Sequence, residues 1–144
     1  MSVSPVPDGY HTVTPYLVVR DARQLIAFLQ QAFVAEIKVP AMQDPGGRIA
    51  HAEMRLGDSV LMLGEPPAGS PERPGMVHLY LSDVDAAYQR ALGAGAKSLR
   101  PPENQFYSDH SAGVEDGNGN CWWLATHTED LSPEEMQRRA AAQH

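Results

Sequence analysis

Residues 76–92 read MVHLYLSDVDAAYQRAL, and this stretch decides the fold. Met76 to Ser82 is rich in apolar and aromatic residues and predicts a strand. Asp83 or Asp85 then offers a carboxylate to the free N–H groups of a helix start. Val84, Ala87, Tyr88, Ala91 and Leu92 recur at three- and four-residue spacing and form one apolar helix face, which Gly93 and Gly95 end. The same order stands earlier in the chain. Val13 to Val19 predicts a strand, Asp21 a cap, and Ala22, Leu25, Ile26, Leu29, Ala32 and Phe33 a helix face.

Outward from these two strand–helix pairs, each half continues with three strands. In the first half they are Glu36 to Pro40, Ile49 to Leu56 and Ser59 to Leu63, the last two joined at Gly57-Asp58. In the second they are Lys97 to Arg100 before Pro101-Pro102, Ser111 to Glu115, and Cys121 to Ala125. The turn Asp116-Gly117-Asn118-Gly119-Asn120 joins the last two. The offset between halves is about 62–64 residues, carried by element order more than by identity. Between them, Glu65 to Gly75 holds four prolines and two glycines in eleven residues and reads as a linker. Ser132, Pro133 and Glu135 form a capping box for a short C-terminal helix, Met136 to Ala142. Residues 1–11 read as an extended arm. The expected organisation is one domain, with a module at 12–64, a linker at 65–75, a module at 76–127 and a helical tail at 128–144.

Composition bounds the function. The chain has 144 residues, 42% of them apolar and 20% charged, which is the balance of a folded domain. Eighteen acids against eleven bases leave a formal charge of −7. That argues against a nucleic-acid partner, because such binding needs Lys and Arg to neutralise phosphates. The single cysteine, Cys121, allows no intrachain disulfide and reads as a buried, inert thiol. No stretch approaches the ~20 apolar residues of a membrane span, and the N-terminus lacks a signal-peptide pattern. The expectations are a cytoplasmic protein and no membrane partner.

Four segments carry a family resemblance. They are Thr14-Pro15-Tyr16-Leu17-Val18-Val19-Arg20-Asp21, His51 to Ser59, Val77 to Asp85, and Asp116 to Asn120 followed by Trp122. Over residues 12–127 the chain resembles the vicinal-oxygen-chelate superfamily of glyoxalase I, bleomycin-resistance proteins and extradiol dioxygenases, in its PhnB-like branch. The resemblance implies an α+β fold. Two βαβββ modules form curved mixed sheets around a cup-like cleft, with a short C-terminal helix. It also implies a homodimer, with the linker permitting exchange of halves. The cup is expected to be lined by Thr14, Tyr16, Val18, His51, Glu53, Arg55, His78, Tyr80, Cys121 and Trp123.

Metal-dependent members of that superfamily hold a divalent ion with four side chains on four strands. Carried over, those positions fall on Thr14, Glu53, His78 and Trp123. Glu53 and His78 are able ligands and His51 is a third candidate, but an indole N–H only donates. The expected function is therefore binding of a small organic molecule, with no complete metal site. Tyr16, His51, Glu53, Arg55, His78, Tyr80 and Trp123 are the expected ligand-binding residues. The alternatives are a divalent-metal-dependent lyase, isomerase or dioxygenase, or a metal-free isomerase using Glu53 and His78 as the acid–base pair. A bland reading stands beside these, a polar lining in which His78 simply pairs with Glu53. Gln105 to His110 reads as a surface loop, Trp122 as core, and His11, His127 and His144 as surface residues.

Overall fold

The computed structural model describes residues 3–143, so Met1, Ser2 and the expected surface residue His144 lie outside the described residues. The elements are β1 (Tyr16–Val18), α1 (Ala22–Phe33), β2 (Glu36–Gln43), β3 (Ile49–Leu56), β4 (Ser59–Gly64), β5 (Met76–Tyr80), α2 (Val84–Gly93), β6 (Lys97–Asn104), β7 (Asp109–Glu115), β8 (Cys121–His127) and α3 (Pro133–Ala141). They make an α+β fold of two four-stranded mixed sheets, ordered β1-β4-β3-β2 and β5-β8-β7-β6. Each sheet has one parallel pair, β1 with β4 and β5 with β8, and the rest is antiparallel. The chain divides into two compact units. The first runs up to Gly75 and includes Gly117–Gly119; the second holds Met76–Asp116 and Asn120 onward.

The first unit starts its helix as the sequence indicates, with Asp21 accepting from Gln24 N at 3.1 Å. Its core is Leu17, Val19, Leu25, Leu29, Ile49, Met54 and Leu63, all almost fully buried. The helix ends on Val34, which adopts a left-handed φ of 56°. No glycine marks that end, so the sequence carries no stop signal there. β2 runs past Pro40 to Gln43. It is an edge strand whose register slips between Val39 and Met42, and at such a place a missing N–H costs no ladder bond.

Residues 65–75 are tied into the first unit. The Glu65 carboxylate accepts from Ala22 N and Ile49 N, each at 2.9 Å. Arg73 exchanges both backbone hydrogen bonds with Val18. β1 is shorter than Val13 to Val19, and Val13 is exposed.

In the second unit Asp83 is the cap, accepting from Ala86 N at 3.0 Å. β6 continues through Pro101-Pro102 to Asn104, again as an edge strand with register shifts on both sides of Arg100. Trp122 is fully buried, as core, and so are Val84, Ala87, Val114 and Leu124 of the same unit. Its indole N–H donates to Asp116 Oδ2 at 2.8 Å. Asp116 also accepts from Asn120, through the backbone at 3.0 Å and the side-chain amide at 2.9 Å. A buried carboxylate is tolerable when several donors satisfy it. The expected surface loop at 105–110 differs from its reading. Ser108 and Asp109 are buried, and Asp109 begins β7. Ser132 caps α3 by accepting from Glu135 N at 3.1 Å.

Candidate functional site

In the first unit, β3 delivers Glu53 to one face of the sheet at the level of Met62 on β4, which itself pairs with Tyr16 on β1. Glu53 is only 7% exposed and fronts a cavity of about 600 Å³. The arm residues Pro7 and Tyr10, with Thr14 and Met62, supply much of the other wall. The carboxylate anchors a chain of hydrogen bonds. Tyr10 donates its hydroxyl to Oε1. His51 donates from Nε2 to Oε2 at 2.7 Å. With that nitrogen protonated, His51 Nδ1 accepts from the Tyr16 hydroxyl at 3.0 Å. Lys38 lies over the Tyr10 ring, 5.1 Å from its centroid.

Burial pushes the Glu53 pKa up, but the hydrogen bonds from His51 and Tyr10 outweigh it. The net shift is down from the ordinary value of 4.5. The carboxylate is therefore held ionised, and Tyr10, donating to it, has its own pKa raised.

In the second unit the corresponding row is His78, Trp123, Gly113 and Arg100, paired across β5, β8, β7 and β6. Trp123 lies against Gly113, where a side chain would collide with the indole. The Arg100 guanidinium sits 5.3 Å from the indole centroid. His78, Arg100, Tyr107, Ser111 and Trp123 line an open cavity of about 240 Å³.

The remaining expected site residues separate from these two groups. Arg55 turns to Glu36 across the β2–β3 pair. Tyr80 is 69% exposed and meets His78 ring to ring at 4.9 Å. Cys121 is half-buried, where a buried thiol was expected. His110 bonds Asn104 at 2.9 Å and Asp85 at 3.1 Å. Two important residues escaped the sequence reading. Tyr10 sat in a segment without periodicity and meets a partner 43 residues away. Arg100 stood before two prolines and read as the end of a strand.

The strand register also relocates two of the four positions carried over from metal-binding relatives. His78 and Trp123 are partners on the parallel pair β5–β8. Their equivalents on β1–β4 are Tyr16 and Met62. Thr14 precedes β1, and Glu53 lies on β3, one strand beyond Met62. The positions thus hold a phenol, a thioether, an imidazole and an indole, a set that does not fit a divalent ion. Among the described residues no three His, Cys, Asp or Glu side chains gather to hold a metal. Nor is any helix of the described residues long and apolar enough to cross a membrane.

Comparison with known proteins gives a consistent family. A model of the Glyoxalase/Bleomycin resistance protein/Dioxygenase superfamily matches residues 10–124. The uncharacterized protein Mb0911c of Mycobacterium bovis is 31% identical over 142 residues, covering 91% of this chain and 93% of its own length. The uncharacterized protein Rv0887c of Mycobacterium tuberculosis is also 31% identical over 142 residues, covering 91% of this chain and 83% of its own. Among solved structures, TioX from Micromonospora sp. ML1 superposes with a TM-score of 0.68 at 21% identity, covering 81% of this chain and 98% of TioX. The fosfomycin resistance protein FosX from Mesorhizobium loti gives 0.59 at 19% identity, covering 91% of this chain and 97% of its own. At those identities the structural likeness shows the fold alone.

Proposed function

The chain belongs to the glyoxalase/bleomycin resistance protein/dioxygenase superfamily, and from that premise we propose that it binds a small organic molecule at Glu53. The carrying observation is the buried carboxylate, ionised and fronting a cavity of about 600 Å³. That volume lies in the range of small-molecule sites. Pro5, Val6, Pro7 and Met62 offer apolar surface, and Glu53 offers acceptor lone pairs to a donor or cationic group of the ligand. Tyr10 and His51 hold both carboxylate oxygens in place, so little ordering cost remains for binding.

The lowered Glu53 pKa favours binding over general-base catalysis. A carboxylate stabilised as the anion is a weaker base, whereas effective general bases titrate near the working pH. Homodimerisation belongs to the same proposal and is read by size-exclusion with light scattering.

The test is calorimetric titration of small organic amines and alcohols into the protein and into Glu53→Gln. We expect saturable binding that weakens about tenfold or more in the variant, since hydrogen bonds to charged groups contribute about 1.5–3 kcal/mol. NMR signals of His51 and Tyr16 are expected to move with the same affinity. Compounds that bind equally well to Glu53→Gln, or that leave those signals still, would refute the reading.

A further inference from the structure

Arg100 carries the second observation. Its Nε is buried and has no hydrogen-bond acceptor among the described residues. Glu103 Oε1 lies 3.5 Å from Nε, too poorly placed to accept, and its own side chain is half exposed. Nη2 donates to Ser111 Oγ, which keeps its hydroxyl hydrogen for a further acceptor. Leaving a charged group's buried donor unmet is costly, so the guanidinium is under-satisfied; Nε itself is closed to solvent, and a ligand acceptor meets this charge where Arg100 lines the cavity.

The surroundings specify the acceptor. The cavity of about 240 Å³ is lined by Arg100, Ser111, Tyr107 and His78 beside Trp123, and among the described residues no Asp or Glu lines it. Trp123 supplies a flat wall, held across the strand by the missing side chain of Gly113. Guanidinium groups bind oxyanions through paired N–H donors, and the remaining lining groups can donate as well.

We infer that this cavity of the second unit binds a small oxyanion, the carboxylate or phosphate group of a ligand. Arg100 is the charged anchor, Ser111 and Tyr107 are further donors, and Trp123 is the wall. The inference stands on residues of the second unit alone and is independent of the Glu53 reading.

The experiment titrates the full chain with sodium benzoate, inorganic phosphate and the neutral control benzamide at fixed ionic strength. It reads the Arg100 Nε–H NMR signal and tryptophan emission, with Trp123→Phe to assign the latter. We expect benzoate or phosphate to shift the Nε–H signal saturably as a reporter of the guanidinium, and benzamide to leave it unmoved. Binding of benzoate alone assigns a carboxylate on a flat body; binding of phosphate alone assigns a free oxyanion. Arg100→Gln is expected to weaken binding at least tenfold. Glu103→Gln, a change at an exposed position, removes a competing negative charge and is expected to tighten binding several-fold. It also keeps the test valid if Arg100→Gln fails to fold. The inference is overturned if neither anion moves the Nε–H signal, if benzamide moves it equally, if a folded Arg100→Gln binds like the parent, or if Glu103→Gln leaves affinity unchanged.

Discussion

Gly113 has no side chain because an indole occupies the space where one would stand. A Cβ built there falls 2.6 Å from Trp123 Cε3. Gly113→Ala is therefore expected to destabilise the protein by about 1–3 kcal/mol, the usual range for overpacking. Urea denaturation measures it, and adding Trp123→Leu is expected to restore part of the loss. Equal stability of Gly113→Ala and the parent would show that the ring has another resting place. The pair also shows why counting residues from a turn misplaces a site. Glu53 and Trp123 each stand four residues from a turn glycine, yet β3 approaches its turn and β8 leaves its own. Glu53 consequently faces Met62 across its pair, while Trp123 takes the position equivalent to Met62.

At the level of elements, α1 and α2 both begin on an aspartate cap, and Asp21 and Asp83 stand as far apart in sequence as Tyr16 and His78. Their ends differ. α1 closes on Val34 at φ 56°, a conformation that a β-branched residue adopts at a cost of roughly 1–2 kcal/mol. Val34 is 70% exposed, so its removal forfeits little packing. Val34→Gly is expected to raise thermal stability by a net of about 1 kcal/mol or less, because glycine's greater unfolded-state entropy offsets part of the gain. A drop in the melting temperature would contradict this account. The edge strands teach the same lesson in reverse. Pro40 and Pro101-Pro102 looked like strand ends, but an edge strand leaves some N–H groups unpaired, so β2 and β6 continue through them.

For the whole molecule, the shifted groups set a pH window. Glu53, Asp44, Glu129 and Glu135 have lowered pKa values, each with a hydrogen-bonded partner. Their contribution is complete above the ordinary carboxylate value and is lost as pH falls through the folded value. His127 is raised above 6.5 by Asp109 first and Asp130 second. Its contribution is complete below 6.5 and is lost as pH rises through the folded value. Chemical denaturation across pH is expected to show greatest stability between about 4.5 and 6.5, and Asp109→Asn is expected to flatten the alkaline side. Stability that climbs steadily from pH 6 to 9 would contradict the assignment. The halves, their helices and the hairpins were legible in the sequence because capping, turn chemistry and periodicity act between residues a few positions apart. The family was legible for the same reason, since its segments are short runs around those elements. The strand partners of Glu53, the reach of Tyr10 to its carboxylate and the buried Nε of Arg100 were not. Each depends on register between strands or on contact across tens of residues. A one-residue change of register would turn every side chain of a strand to the opposite face, and only the packed sheet settles which register is kept.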